Sequence, residues 1–159
     1  MEGFVIRPME KRDIDRVHEI ECACFRSPWS KLSLLGELKN DIAKYYVLEA
    51  DGRVEGYGGM WVLFEEAHVT NIAVMAEHRR KGYATEIILA LMRGALFRGA
   101  SEMTLEVREN NFGAQALYKR MGFEQNGYRP KYYSDTGEGA LLLWNRKIAE
   151  TVAEYEKKC

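Results

Sequence analysis

Apolar residues recur along this chain at two spacings, and the switches between them mark out its elements. Residues 4–9 alternate as a strand whose Pro8 favours a sheet edge, and from Arg12 and Asp13 a helical pattern sets Ile14, Val17 and Ile20 on one face. A break at residues 26–30 carries Trp29 in an exposed-looking position and offers Ser30 as the cap of a second helix through Leu32, Leu35 and Leu38. Residues 44–50, 54–64 and 67–75 read as three strands with short connections, the first at Asp51 and Gly52, so an antiparallel meander is expected. Gly56, Gly58 and Gly59 weaken its middle strand. A helix over residues 82–98 follows, with its stripe at Ile87, Ile88, Leu91, Ala95 and Leu96. Then come a strand over 103–107 and a helix over 111–121 that Gly122 closes. Strands near 123–128 and 140–144 flank a polar, glycine-bearing loop over 129–139, and the last dozen residues read as a charged, helix-favouring tail. With no internal repeat and no linker composition, this order predicts one mixed α+β domain with a central sheet.

Composition narrows the partners. A chain of 159 residues, 47% hydrophobic, can core one domain and is short for two. Lys and Arg number 23 against 24 Asp and Glu, so the net charge of -1 gives no field to hold nucleic acid or an anionic membrane, and partners must be recognised locally. No stretch reaches membrane-spanning length, and Met1, Glu2, Gly3 and Phe4 lack the basic and apolar regions of a signal peptide; the expected compartment is the cytoplasm and the default state a monomer. Cys22, Cys24 and Cys159 have no scaffold spacing and are expected as reduced thiols without a bridge. His18 and Cys22 stack on one helix face with Cys24 two residues on, but a zinc site needs a fourth ligand; packing is the expectation and no metal is called for.

Two stretches carry chemistry. Glu106 alternates with Leu105 and Val107 and so takes the opposite strand face, where a carboxylate is either solvated or given a polar role. Asn111 and Tyr118 follow on the next helix, placing an acid, an amide and a phenol within one strand-to-helix unit. Taken singly, Tyr118 reads equally well as a packing tyrosine, Asn111 as a helix cap and Arg108 as a salt-bridge partner. Together the first two point to function, and Arg108 to structure. The second stretch is the basic loop before the helix at 82–98. There Gly82 and Ala84 allow close backbone approach, the first-turn N–H groups and helix dipole favour a phosphate, and Arg79, Arg80 and Lys81 add charge. Such a loop is also an ordinary helix cap. It lacks the endings of a P-loop and of a dinucleotide fingerprint, which leaves coenzyme A as the pyrophosphate carrier.

Arg79, Gly82 and Ala84 match the Arg/Gln-x-x-Gly-x-Gly/Ala loop of the Gcn-five-related (GNAT) N-acetyltransferases, and the chain resembles that family as far as Trp144. Ile72-Ala73-Val74, Leu105-Glu106-Val107-Arg108, Asn111, Ala116-Leu117-Tyr118, Gly122-Phe123 and the loop of Phe25 with Ser27-Pro28-Trp29-Ser30 are similar to its RimI-type subgroup, which acetylates the N-terminal alanine of a small-subunit ribosomal protein. The resemblance implies the GNAT fold: a mixed, mostly antiparallel sheet of about seven strands with about four helices, over residues 1–148, with 149–159 as the tail. It implies that Ile72, Ala73 and Val74 meet the acetyl and pantetheine arm of acetyl-CoA, that Arg79, Arg80, Lys81, Gly82, Tyr83, Ala84 and Thr85 hold the pyrophosphate, and that Asn111 also touches the cofactor. Glu106 is implied as general base, through water, Tyr118 as the acid for the leaving thiolate, and Trp29, Tyr132 and Tyr133 as the walls of a peptide groove. Related enzymes that modify lysine side chains or small amines share the cofactor residues, and a non-catalytic acyl-CoA sensor is the alternative outside enzymes. Ala84 in place of a second glycine is a variation the family pattern tolerates.

Overall fold

The computed structural model describes residues 3–158. Cys159 lies outside them, and with it the expectation that it forms no bridge; Cys22 and Cys24 are free thiols. Strand β1 (Phe4–Pro8) is a sheet edge, where a proline without an N–H is tolerated, and a short 3-10 turn leads from it into helix α1 (Ile14–Cys24). Ser30 caps α2 (Lys31–Leu38), its hydroxyl accepting from the Ser33 N–H at 3.1 Å. β2 (Ala43–Ala50), β3 (Arg53–Leu63) and β4 (Glu66–Val74) form the antiparallel meander. Helix α3 (Tyr83–Phe97) then crosses back over the sheet, so β5 (Glu102–Arg108) lies parallel to β4. α4 (Phe112–Arg120) stops before Gly122, whose φ of +88° is the left-handed value such a helix end requires. β6 (Glu124–Arg129) and β7 (Ala140–Asn145) complete a seven-stranded sheet of order β1-β2-β3-β4-β5-β7-β6.

The last helix, α5 (Ile148–Glu156), corrects the expectation of a tail. Ile148 and Val152, four apart and hence on one helical face, are buried in the same core as α3, which makes five flanking helices among the described residues. Two apolar layers enclose the sheet. On one face α3 and α5, with the inner side of α4, cover Leu48, Met60, Val69, Leu105 and Val107; on the other, α1 and α2 cover Val47, Tyr57 and Ala73. Among the described residues no helix is long and apolar enough to cross a membrane.

The glycines of β3 have a packing role that outweighs the strand propensity they cost. A Cβ on Gly58 would meet Ile87 of α3 at 2.5 Å, and one on Gly59 would enter the Tyr45 ring at 2.1 Å. The helix and the tyrosine approach the sheet as closely as they do only because these side chains are missing. Further along, the β3–β4 register slips: Gly59 faces Asn71 while Met60 faces Val69, leaving Thr70 as an extra residue in β4. The slip reverses the alternation, so Val69 points into the α3 core while Asn71 and Ala73 turn toward α1. Gly59→Ala is therefore expected to destabilise the protein by about 1–3 kcal/mol, because Tyr45 is buried and stacked on Tyr57 and cannot swing away; urea unfolding measures this, and an unchanged midpoint would show that the ring relocates freely.

Candidate active site

β4 and β5 pair only where Glu66, Ala67 and His68 face Glu102, Met103 and Thr104. Past these residues the strands diverge and a cleft of about 880 Å³ opens at their carboxyl ends. In an open sheet that is where a ligand crevice forms, because each of two parallel strands leads there into a helix N-terminus. The cleft is lined by Thr70, Asn71 and Ile72 of β4, by Glu106 and Arg108 of β5, and by Asn111 and Tyr118 at and beyond the start of α4. Trp29 and the pair Tyr132 and Tyr133 contribute from two loops.

Glu106 is not left to solvent. Its Oε2 lies 3.1 Å from His68 Nε2, across the last paired residues of β4 and β5. The hydrogen bond raises the His68 pKa above 6.5 against the opposing effect of burial, and the same contact holds the Glu106 carboxyl below 4.5. His68 keeps 43% of its side chain exposed, against 19% for Glu106. Tyr118 packs its ring edge-on against Phe123, with centroids 5.7 Å apart, and burial pushes its phenol up to about 12. It is thus a hydrogen-bond donor throughout the neutral range. Asn111 also has a definite structural role, since its Oδ1 caps α4 by accepting from the Ala114 N–H at 3.1 Å.

The predicted cofactor residues fall into two groups. Ile72 is in the cleft, whereas Ala73 is buried toward α1 and Val74 toward α3. The Val74 carbonyl accepts from Arg79 Nε at 3.2 Å and from the Cys24 thiol at 3.6 Å, which ties the basic loop to the end of β4. In that loop Arg79, Arg80, Lys81 and Gly82 are exposed, with Ala84 and Thr85 half-buried behind them. Gly82 takes φ of +80° as the N-cap of α3 with no side-chain cap, so the first-turn N–H groups are left for an anion. Tyr83 is different: its ring is buried, 5.6 Å from Phe4 and 5.9 Å from His78, and only its backbone serves the turn. His78 in turn is bonded through Nε2 to the buried Glu55, which also receives Arg16. An uncapped helix end, exposed cations and a loop anchored from below together fit a pyrophosphate.

The walls are held as firmly. Arg108 makes a two-pronged contact with Asp135, at 3.0 and 2.8 Å, reaches Glu138 at 3.3 Å, and lies 4.0 Å from the centroid of the Tyr133 ring. It pins the loop bearing Tyr132 and Tyr133 to β5. Trp29 is half-buried against the α1–α2 core, contrary to its exposed look in the sequence, because Glu21 accepts its N–H at 2.8 Å and His18 Nδ1 meets its carbonyl at 3.0 Å.

A profile of the acetyltransferase (GNAT) family matches residues 14–123. The chain belongs to that family. A protein of Bacillus subtilis (strain 168), provisionally named a [ribosomal protein bS18]-alanine N-acetyltransferase, is 41% identical over 140 residues, covering 87% of this chain and 93% of its own. The [ribosomal protein bS18]-alanine N-acetyltransferase of Haemophilus ducreyi is 36% identical over 144 residues, covering 87% and 97%. The crystal structure of the Escherichia coli ribosomal-protein-S18-alanine N-acetyltransferase superposes with a TM-score of 0.82 at 27% identity, over 89% of this chain and 92% of that one. This GNAT protein is an acetyl-CoA-dependent N-acetyltransferase.

Two site residues of this acetyltransferase escape the sequence reading. His68 and Glu106 are 38 positions apart, and only the parallel register of β4 and β5 brings them together. Glu21 reads as one more charged helix position until the packing of α1 buries it. Because His68 is raised, its stabilising effect is complete below 6.5 and fades as pH climbs through the raised value; because Glu106 is lowered, its effect is complete above 4.5 and fades as pH falls through the lowered value. The pair therefore stabilises most between those two limits. In an NMR titration Glu106→Gln is expected to bring the His68 pKa down to or below 6.5, and a His68 titration indifferent to that change would disprove the coupling.

Proposed function

We propose that this enzyme acetylates the α-amino group of an N-terminal alanine on a small-subunit ribosomal protein, acting in the cytoplasm as a monomer. The observation that carries this reading is that Glu106, backed by His68, and Tyr118 line one cleft whose two further walls, at Trp29 and at Tyr132 and Tyr133, leave room for an extended chain. The names of the relatives, similar over almost their whole length, support the same target.

When bound, acetyl-CoA supplies a thioester carbonyl as electrophile and a thiolate as leaving group. An amine attacks only when neutral. An α-amino group with pKa near 8 is roughly one-tenth neutral at pH 7, a lysine near 10.4 less than about one part in a thousand, so weak base assistance suffices for the former. Glu106 Oε1, the carboxylate oxygen not engaged by His68, receives the amine proton directly or through one water; His68, bonded at Oε2 and partly exposed, offers the route to solvent. The two titrate as a pair. Tyr118 donates its O–H toward the sulfur. With its phenol at about 12 it is a weaker acid than a thiol near 8.5, so its contribution is a hydrogen bond that strengthens as charge grows on sulfur. Asn111 holds the N-terminal turn of α4, and thereby Tyr118 two turns on, in place. Arg79, Arg80 and Lys81 with the first turn of α3 receive the pyrophosphate, and Ile72 borders the acyl arm.

Three outcomes are expected. With acetyl-CoA and two peptides, one with a free N-terminal alanine and one blocked there but bearing lysine, the first is labelled faster; faster labelling of the second would transfer the enzyme to the lysine class. Tyr118→Phe lowers kcat about a hundredfold with the KM for acetyl-CoA within about twofold, and unchanged turnover would take the sulfur-side role from Tyr118. His68→Gln slows kcat about tenfold and removes the limb of its pH profile that rises through the raised His68 pKa; a variant that keeps both rate and limb leaves His68 no part in proton transfer.

A further inference from the structure

Glu21 is 1% exposed on α1, yet it borders the cleft. Its Oε1 accepts from the Tyr57 hydroxyl and from Asn71 Nδ2 at 2.8 Å, and its Oε2 accepts from the Trp29 backbone N–H at 2.8 Å. All three donors are neutral, and each comes from a different part of the fold. Tyr57 belongs to the central strand β3. Asn71 is the residue that the extra Thr70 turns toward α1, and its Oδ1 is met by the Tyr45 hydroxyl at 3.4 Å, which also contacts Thr70 Oγ1 at 2.9 Å. Trp29 is a wall of the cleft. A buried carboxylate thus joins β4 to the loop wall that carries Trp29, and His18 fixes the other backbone group of the same tryptophan.

We propose that Glu21 is a specificity-determining positioning residue: by setting the distance between Trp29 and β4, it fixes the width of the cleft where the first side chain of the acceptor peptide enters, and so selects a small N-terminal residue. The inference rests on the reading of this cleft as a peptide-amine site. Its physical basis is that a carboxylate with four lone-pair positions takes three convergent N–H and O–H donors, whereas the isosteric amide offers one oxygen and an N–H₂ group. Of the three donors only the Trp29 N–H is fixed as a donor, and in Glu21→Gln an amide that keeps its oxygen toward Tyr57 and Asn71 turns its N–H₂ group on that N–H, which loses its acceptor. The wall is released while the cofactor loop, beyond the far end of β4, is untouched.

The test compares steady-state kinetics of wild type and Glu21→Gln with acetyl-CoA and two peptides that differ only in beginning with alanine or leucine. Wild type acetylating neither N-terminus would overturn the functional reading itself, separately from this one. Given wild-type activity on alanine, Glu21→Gln is expected to raise the KM for the alanine peptide about tenfold and to narrow the alanine-to-leucine ratio of kcat/KM by a similar factor, with the KM for acetyl-CoA and kcat within about twofold. A purely structural role would lower the active fraction, scaling kcat for both peptides alike and leaving both KM values and the ratio unchanged; that result overturns the proposal. His18→Leu provides a second route to the same wall by releasing the Trp29 carbonyl, and is expected to narrow the ratio about threefold. If Glu21→Gln does not fold, an unchanged ratio in His18→Leu overturns the proposal by itself.

Discussion

Strands β4 and β5 run side by side for three residue pairs and then part, and nearly everything functional in this acetyltransferase follows from that divergence. A parallel ladder satisfies backbone groups and excludes ligands; ending it early exposes one edge of β4 and turns the ends of two strands into the sides of a cleft. Since each strand continues into a helix, two helix N-termini are delivered to the same region. One is uncapped and basic, the other is capped by Asn111 and carries Tyr118. The last residues held in register before the split include His68, and Glu106 follows two residues after its β5 partner, so the hydrogen-bonded Glu106–His68 pair sits at the fork.

Three carboxylates near this fork illustrate how surroundings divide one chemical group among several roles. Glu106 is half-buried with a titratable partner and remains in contact with the cleft, the arrangement suited to moving a proton. Glu55, buried between Arg16 and His78, anchors the basic loop from beneath. Glu21, buried among neutral donors, ties a loop to the sheet. For Glu55 and Glu21 the cost of burial is offset by partners on both carboxylate oxygens, and no described buried side-chain nitrogen or oxygen lacks a partner.

The walls of the cleft are loops, and side chains of α1 and of the end of β5 anchor them. Arg108, on the same face of β5 as Glu106, commits its guanidinium to Asp135, Glu138 and the face of Tyr133. Glu109 adds a second clamp, accepting from the Gly139 N–H and, at 3.2 Å, from the Tyr128 hydroxyl. A planar cation with five donors suits such a multi-point hold in a way that a lysine cannot reproduce. Preordered walls lower the entropic cost of receiving an extended peptide.

Local periodicity and turn chemistry were legible in the chain alone: the meander, the helix stripe at Ile87, Ile88 and Leu91, the Ser30 cap, the left-handed Gly122 and the alternation that sets Glu106 apart from Leu105 and Val107 all depend on neighbours a few positions away. So did the basic loop with its uncapped helix start, since a glycine and a run of cations declare themselves locally. What tertiary structure decided involves distant residues. The glycines of β3 look like weaknesses until Ile87 and Tyr45 occupy the space they leave. The closing helix looks like a tail until Ile148 and Val152 find the α3 core. His68 gains meaning from a parallel register, Asn71 from a one-residue slip, and Glu21 from the burial of α1, none of which a local pattern encodes. The elements and the type of chemistry can be read from the chain, because both rest on short-range geometry and on residue type; the partners of each charged group follow only from packing, which brings together side chains dozens of residues apart.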